Sequence, residues 1–172
     1  MQPVLPCVAY APAVCTNHVA LYSLVMRQNN DAIADTANQT NLTTDCLTDI
    51  VFVLDRSGSI GSANFNLTKS FLSRLVSGLD VDGGSTRVGI VAFSTNVSLI
   101  FNLGSYSTVA DVQAAISAIN YTTGGTNTAR ALAYVRTTML TSEAGDRSNA
   151  SNVVFVLTDG QSDSAYNTRV SV

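Results

Sequence analysis

Five oxygen-bearing side chains, spread over three short segments of the chain, have the chemistry of a site for one divalent cation. They comprise two carboxylates and three hydroxyls, and they are Asp55, Ser57, Ser59, Thr126 and Asp159. Mg²⁺ and Mn²⁺ favour oxygen ligands in near-octahedral geometry, and Mg²⁺ usually keeps some of its water. Because the three segments contain no cysteine or histidine, we predict a site for Mg²⁺ or Mn²⁺, with Ca²⁺ as an alternative.

The spacing within these segments favours convergence of the oxygens on one point. In an extended or turning loop every second side chain can point the same way, so the Asp-x-Ser-x-Ser segment can aim three oxygens at one centre. We expect Gly58 to let the backbone bend tightly between the two serines. In the second segment Gly124 and Gly125 free the chain to bring in the hydroxyl of Thr126.

The charge of the set indicates what a bound cation would attract. Two carboxylates neutralise a divalent cation, and the three hydroxyls add no further charge. A cation held in this way stays strongly electrophilic at any open position. It would therefore accept a carboxylate from a partner, which is a charge-assisted contact.

Apolar runs predict the strands and helices that position these segments. Continuous apolar runs are typical of parallel strands buried on both faces, and they cover residues 49–55, 87–93 and 153–157. A short strand over residues 97–101 follows a tight turn, so we expect it to lie antiparallel to its predecessor at the sheet edge. Amphipathic spacing predicts helices over residues 65–79, 109–119 and 128–140.

Strands that alternate with helices predict an α/β fold. We expect a doubly wound, mostly parallel, Rossmann-like sheet with one antiparallel edge strand, flanked by helices. In such open sheets ligands gather at the carboxyl ends of the strands. Asp55 ends one predicted strand, Asp159 closely follows another, and Thr126 stands just before a predicted helix. The sheet would therefore bring the three segments together at one edge.

Residues 1–46 differ in composition from the rest of the chain. They contain all three prolines, a short apolar run at 19–26 that could form two turns of helix, and a polar run at 36–45 typical of a linker. Strong apolar patterning begins at residue 48. We therefore predict an irregular N-terminal segment over residues 1–46 and one domain over residues 47–172, long enough for one sizeable core.

Bulk composition excludes several classes of function and favours an extracellular setting. With 12% charged residues, a net charge of −3 and a pI near 4.8, the chain has no electrostatic reason to bind nucleic acid or an anionic membrane. No apolar run approaches the roughly 20 residues of a membrane span.

Three cysteines and six Asn-x-Ser/Thr sequons indicate a secreted protein or an ectodomain. The sequons lie at Asn38, Asn41, Asn66, Asn96, Asn120 and Asn149. No signal peptide opens the chain, so we expect its start to lie inside a longer protein.

Catalysis is the competing function for the same residues. A serine nucleophile would need a base, but the only histidine is His18 and the only lysine is Lys69, on the first predicted helix. A Mg²⁺-dependent hydrolase would need a general base beside the ion, and none is obvious near the site segments. A third interpretation is a structural matrix module whose metal site is vestigial. We predict that the chain is not an enzyme.

Other polar residues near the site segments allow simple interpretations. Arg56 could steer an acidic partner, although a solvated loop arginine is the simpler hypothesis. Tyr121 and Thr122 could line the metal face or simply lie in a loop. The glycines before Thr126 lack the Gly-Lys-Ser/Thr sequence of a phosphate-binding loop.

The complete pattern resembles the metal-ion-dependent adhesion site of the von Willebrand factor type A family, which includes integrin inserted domains, matrilins and many matrix collagens. The resemblance rests on Asp-x-Ser-x-Ser, on the first threonine of Gly-Gly-Thr-Asn-Thr and on the aspartate of Thr-Asp-Gly, in this order and each in a matching strand context. It implies direct metal contact from Ser57, Ser59 and Thr126, and contact from Asp55 and Asp159 either directly or through water. The open position would take a Glu or Asp from an extracellular protein ligand, such as collagen.

The same resemblance predicts that the domain is incomplete at its C-terminus. Family domains typically continue past the Thr-Asp-Gly strand with two more strand and helix units, whereas this chain ends at Val172. We therefore expect the last strand to have an uncovered edge. Family members often pair a cysteine in the place of Cys46 with one beyond the end of the domain, which fits the same expectation.

Overall fold

One mixed sheet dominates the computed structural model of the protein, which describes residues 47–159, residues 162–163 and the backbone of residues 19–25. The strands in this described part are β1 Val19–Val25, β2 Thr48–Asp55, β3 Thr86–Phe93, β4 Val97–Phe101 and β5 Ser151–Thr158. Their order across the sheet is β1-β5-β2-β3-β4. The α-helices are α1 Gly61–Val76, α2 Val109–Ser117 and α3 Thr128–Tyr134. A π-helical turn, Val135–Met139, continues α3, and a 3₁₀ turn follows at Ser142–Ala144.

Alternate side chains of β2 enter two separate cores, one on each face of the sheet. Phe52 and Leu54 pack in the core that α1 and α2 cover. Val51 and Val53 pack in the core that α3 and its π-helical turn cover. All four side chains are fully buried. A strand covered on both faces needs apolar residues at every position, which explains the continuous apolar run in the sequence.

The predicted fold class is confirmed. The strands β2, β3 and β5 run parallel, and β4 returns antiparallel to β3 at the edge of the sheet, with Phe93 opposite Val97. The three predicted parallel strands are found, each slightly longer than its apolar run. The first helix begins at Gly61 rather than at residue 65. The sequence did not indicate this first turn, because the turn is partly exposed and lacks an apolar pattern.

The helix predicted over residues 128–140 is found as α3 and its π-helical turn, which together pack closely on β3. The close approach occurs at Gly89, where an added Cβ would lie 2.8 Å from the Cε of Met139. A side chain at this position would require the end of the Met139 side chain to move and would press on the backbone nitrogen of Leu103, 3.2 Å from the added Cβ.

The helix expected over residues 19–26 is wrong, because Val19–Val25 forms β1. This strand pairs in parallel with β5, from Val19 opposite Asn152 to Val25 opposite Thr158. A short apolar run fits a strand as well as a helix, and the free edge of β5 offers backbone groups that only a strand can satisfy. The expectation of an uncovered edge on β5 is therefore also wrong, and residues 1–46 are not irregular throughout. The domain boundary after residue 46 stays a prediction.

Several sequence-based expectations concern residues outside the described part of the chain. These are the pairing of Cys46, the linker at 36–45 and the sequons at Asn38 and Asn41.

A buried ion pair closes the amino end of β2. Asp49 is fully buried, and its carboxylate lies 2.7 Å from the Nη2 of Arg147, whose side chain is 13% exposed. The backbone N–H of Arg147 donates to the same carboxylate at 2.7 Å, and its guanidinium also donates to the carbonyls of Thr48, Gly84 and Ser85. One arginine therefore joins the start of β2, the loop before β3 and the segment before β5.

Substitution of Arg147→Ala should destabilise the fold strongly, because it leaves the Asp49 carboxylate buried without its cation. We expect a loss of about 3–5 kcal/mol in the free energy of unfolding, measured by denaturant titration. Arg136→Ala is the matched control, because Arg136 is exposed, and it should change the same quantity by less than about 0.5 kcal/mol. Equal effects of the two substitutions would contradict this assignment.

Candidate metal centre

The carboxyl ends of β2 and β5 bring two of the predicted site segments side by side. The two strands are neighbours in the sheet and pair in parallel up to Leu54 opposite Leu157. Asp55 is the last residue of β2, and Asp159 directly follows β5. Parallel pairing therefore places both aspartates at the same edge of the sheet, as expected for an open α/β fold.

Asp55 is held in one orientation by two hydrogen bonds. Its carboxylate is almost fully buried, at 1% exposure. One oxygen accepts the backbone N–H of Ser57 at 2.8 Å, and the other accepts the hydroxyl of Thr158 at 2.7 Å. Thr158 was not among the predicted site residues. Its signal in the sequence is a hydroxyl at the very end of an otherwise apolar strand, beside the second aspartate.

Four of the five predicted site residues form one hydrogen-bonded chain. The Ser57 and Ser59 hydroxyl oxygens lie 3.1 Å apart, and the Ser59 hydroxyl donates to Asp159 at 3.1 Å. Ser57 is buried, whereas Ser59 is exposed and Asp159 is half-buried. The backbone N–H of Ser57 links this chain to Asp55. The hydrogen-bonded residues therefore run from the buried Asp55 carboxylate to the surface, which leaves one side of the group open to a ligand.

Thr126 lies in the neighbouring loop but is less tightly joined to the other four. Gly58 donates its backbone N–H to the Gly124 carbonyl at 3.0 Å, which fixes the two loops against each other. Among the described residues, no hydrogen bond links the Thr126 hydroxyl to the other four side chains. The Thr126 backbone is held instead by Asp163, which accepts its N–H at 2.8 Å and donates to its carbonyl at 2.9 Å.

Asp163 was missed by the sequence analysis. It stands four residues after Asp159, outside the recognised motif. Its carboxylate binds the backbone of the glycine-rich loop, so it acts on the position of Thr126. The only available signal was a second acidic residue in the same segment.

Arg56 is not a solvated loop arginine, contrary to the simpler hypothesis. Its guanidinium donates to the Ser98 hydroxyl at 2.6 Å and to the Asn120 carbonyl at 3.4 Å. Its Nε is buried and has no hydrogen-bond partner in the described part of the chain. Burial lowers the pKa of Arg56 from its usual value. Arg56 therefore joins the first site loop to β4 and to the loop after α2.

Tyr121 and Thr122 contact the loop that carries the two serines. The Tyr121 hydroxyl donates to the carbonyls of Ser57 at 3.2 Å and Gly58 at 3.4 Å. The Thr122 hydroxyl donates to the Arg56 carbonyl at 3.4 Å. Both residues thus contact the backbone of the loop that carries the two serines.

Backbone geometry requires glycine at position 124, whereas Gly58 lies in a turn beside the two serines without needing to be glycine. Gly58 does not have a positive φ, and an added Cβ would meet the Gly124 carbonyl oxygen at an ordinary 3.6 Å. Gly124 has a φ of 128°, a conformation that side chains disfavour. An added Cβ there would lie 2.7 Å from the Thr95 hydroxyl oxygen.

The chemistry of the donor set suits a hard divalent cation, and two of its oxygen–oxygen separations are compatible with a shared ion. A regular octahedron with metal–oxygen bonds of about 2.1 Å has edges of about 3.0 Å. The two oxygen–oxygen separations in the chain of four residues are both 3.1 Å. Within the described residues no group of three or more His, Cys, Asp or Glu side chains could hold a metal ion. Hydroxyl oxygens are thus an essential part of this donor set.

Comparison with known proteins identifies the family. The von Willebrand factor type A domain matches residues 49–172 of this chain. The chain belongs to the von Willebrand factor type A family. Human Matrilin-1 is 39% identical over 120 residues, covering 70% of this chain and 24% of Matrilin-1. The mouse collagen alpha-4(VI) chain is 40% identical over 116 residues, covering 66% of this chain and 5% of the collagen. This chain thus spans a quarter or less of these relatives.

Two solved structures share this fold. Proximal thread matrix protein 1 from the mussel byssus, with a zinc-occupied MIDAS motif, superposes with a TM-score of 0.69 at 26% identity, covering 74% of this chain and 34% of that one. The manganese-loaded TRAP protein of Plasmodium vivax superposes with a TM-score of 0.66 at 21% identity, covering 74% and 52%. The second likeness concerns the fold alone.

The relatives also confirm the predicted setting of this von Willebrand factor type A domain. Matrilins and collagen VI are secreted proteins of the extracellular matrix, and the domain is extracellular. In the part of the chain that the structure describes, every helix is too short or too polar to cross a bilayer.

Gly124→Ala should destabilise the domain, because alanine would be strained at this φ and would collide with Thr95. We expect a loss of about 1–3 kcal/mol in the free energy of unfolding, measured by denaturant titration. Gly58→Ala, in the adjoining loop, should change it by less than about 0.5 kcal/mol. A greater loss from Gly58→Ala than from Gly124→Ala would show that the two positions have been assigned the wrong way round.

Proposed function

We propose that this domain is a divalent-cation-dependent adhesion module that binds an acidic side chain of an extracellular protein. The family and its matrix relatives indicate a protein-binding module of the extracellular matrix type. We add to this that binding depends on a divalent cation and on an acidic side chain of the ligand.

The observation that carries the proposal is the difference between two buried carboxylates of β2. Asp49 has a cationic partner in Arg147. Asp55 is buried almost as completely, yet its hydrogen-bond partners are a backbone N–H and a hydroxyl, which are neutral. In the described part of the chain, Asp55 forms no ion pair. A buried charge without a counter-charge is costly, and a divalent cation bound at the open side would supply that charge.

Five residues would hold the ion in this proposal. Ser57, Ser59 and Thr126 would contribute hydroxyl oxygens directly, and Asp55 and Asp159 would contact the ion directly or through water. We propose Mg²⁺ or Mn²⁺, because the observed oxygen spacing is close to an octahedral edge for ions of that size. Ca²⁺, which takes longer bonds, is the alternative. The zinc in the MIDAS motif of the mussel byssus protein supports binding of a divalent cation.

An acidic ligand is proposed because of the charge of the site and its exposure to solvent. When bound, the cation acts as a Lewis acid whose two positive charges are offset by two carboxylates, while the hydroxyls leave it electron-poor. Ser59 is exposed and Asp159 is half-buried, so an incoming Glu or Asp can reach the ion from solvent. In a partly desolvated site such a contact is stronger than in water. Matrix proteins, with collagen among them, are the proposed partners.

We further propose that the site binds without catalysis. Lys69, the only lysine of the chain, is not available as a base near the serines, because its ammonium donates to the carbonyls of Ser117 and Ile119 at 3.0 and 3.1 Å. The relatives of the domain are matrix proteins rather than enzymes.

Asp55→Asn should abolish tight cation binding, since it removes half of the formal negative charge of the site while keeping the shape of the side chain. We expect the affinity for Mg²⁺ and Mn²⁺, measured by isothermal titration calorimetry, to fall by at least about 100-fold, the upper end of the loss seen for outer-shell partners. Asp82→Asn makes the same charge change at an exposed position before β3 and should leave the affinity unchanged. If the unsubstituted domain takes up neither ion, the metal centre is refuted.

Adhesion should depend on the cation and on the hydroxyl of Thr126. Binding to immobilised collagen, followed by surface plasmon resonance, should occur in Mg²⁺ and disappear in EDTA. Thr126→Ala should weaken it about tenfold or more, whereas Thr137→Ala, an exposed threonine in the π-helical turn, should not. Binding that is equal in Mg²⁺ and EDTA would show that the contact lies elsewhere and would favour a structural module.

A further inference from the structure

Four asparagines in sequons lie in the described part of the chain, and all four are exposed. They are Asn66, Asn96, Asn120 and Asn149. Among the described residues no hydrogen bond uses the side-chain amide nitrogen of any of the four. This is the atom to which an N-linked glycan is attached, so each side chain can carry a glycan without loss of a contact in the folded domain.

Asn96 lies in the turn between β3 and β4, which packs against the loop of Thr126. The Ser94 carbonyl accepts the backbone N–H of Asn127, and the Thr95 hydroxyl accepts that of Gly125, both at 2.9 Å. The Asn96 side-chain oxygen accepts a hydrogen bond from Arg130 at 3.2 Å. Since that oxygen persists in a glycosylated amide, the arginine would orient the modified side chain as well.

Asn120 lies on the other side of Arg56, in the loop after α2. Its backbone carbonyl accepts a hydrogen bond from Arg56, which stands between Asp55 and Ser57. The next residue, Tyr121, donates to the Ser57 carbonyl. Asn96 and Asn120 therefore flank the metal centre on its β4 side. Asn149, which precedes β5, lies at the opposite end of the sheet.

We propose that Asn96 and Asn120 carry N-linked glycans that border the metal centre and restrict the approach of large ligands. In the transfer, the anomeric carbon of a lipid-linked oligosaccharide leaves its pyrophosphate oxygen and bonds to the asparagine amide nitrogen. The nitrogen loses one proton, and the lipid pyrophosphate is the leaving group. The claim of modification stands by itself, whereas the claim of restricted approach rests on the proposed function.

The hydrogen bonds of the sequon hydroxyls in the folded domain indicate that glycosylation precedes folding. In the folded domain the Ser98 hydroxyl accepts a hydrogen bond from Arg56, and the Thr122 hydroxyl donates to the Arg56 carbonyl. Both sequons are thus engaged with the same residue of the site loop. A transferase that needs an extended, free sequon would act while the chain is still unfolded, and Arg56 would close the site between the two glycans afterwards.

The modification is tested on the chain secreted from cultured animal cells behind an added signal sequence. Intact mass and peptide mapping, before and after treatment with peptide N-glycosidase, should show a glycan at both positions. Asn96→Gln and Asn120→Gln should each remove one glycan mass. Peptides that carry unmodified Asn96 and Asn120 would overturn the proposal, whatever the outcome at Asn66 or Asn149.

The same proteins test whether the two glycans restrict the approach of large ligands to the metal centre. Mg²⁺ affinity by calorimetry should be the same for the glycosylated protein and the Asn96→Gln/Asn120→Gln variant, because a small ion passes between glycans. Association with immobilised collagen should become faster in that variant, within about one decade, and stay unchanged in Asn149→Gln. Faster association in all variants, or in none, would overturn the restriction. Absence of Mg²⁺ binding would instead refute the proposed function and leave the glycan result intact.

Discussion

The burial of the Asp55 carboxylate at the end of β2 is the constraint around which the rest of the site is arranged. A carboxylate removed from water must be hydrogen-bonded, and here the two donors come from different segments, the Ser57 backbone and the Thr158 hydroxyl. The first bond fixes the turn that follows β2, and the second ties that turn to β5. The positions of both serines and of the second aspartate follow from these two contacts.

Each end of β2 carries a buried carboxylate, and the two negative charges have different kinds of partner. At the amino end Asp49 is neutralised within the chain by Arg147, which also binds three backbone carbonyls and thereby closes the base of the sheet. At the carboxyl end Asp55 has neutral donors, so its charge is available to an external cation. One strand thus carries a carboxylate used for stability and another suited to binding, and the two are separated by the length of the strand.

Arg56 connects the candidate metal centre to its surroundings. It lies between Asp55 and Ser57, yet its guanidinium contacts β4 and the loop after α2, and partial burial lowers its pKa. Both flanking sequons contain a hydroxyl that is bonded to this residue. The loop of the two serines and the two sequons beside it are therefore joined by hydrogen bonds of the same residue, through its side chain and its backbone carbonyl.

The sequence by itself determined the parallel strands, the antiparallel edge strand and the identity of the candidate metal residues. Burial on both faces demands continuous apolar runs such as Val51 to Leu54, and side chains at the ends of parallel strands must share one edge. Tertiary structure alone decided the features that depend on distant partners. The segment Val19–Val25 is a strand because it pairs with the edge of β5. Arg56 is half-buried because its guanidinium contacts Ser98 and Asn120, which lie 42 and 64 residues away in the chain. Local sequence carries no record of such contacts, because they form only when the sheet brings separate loops together.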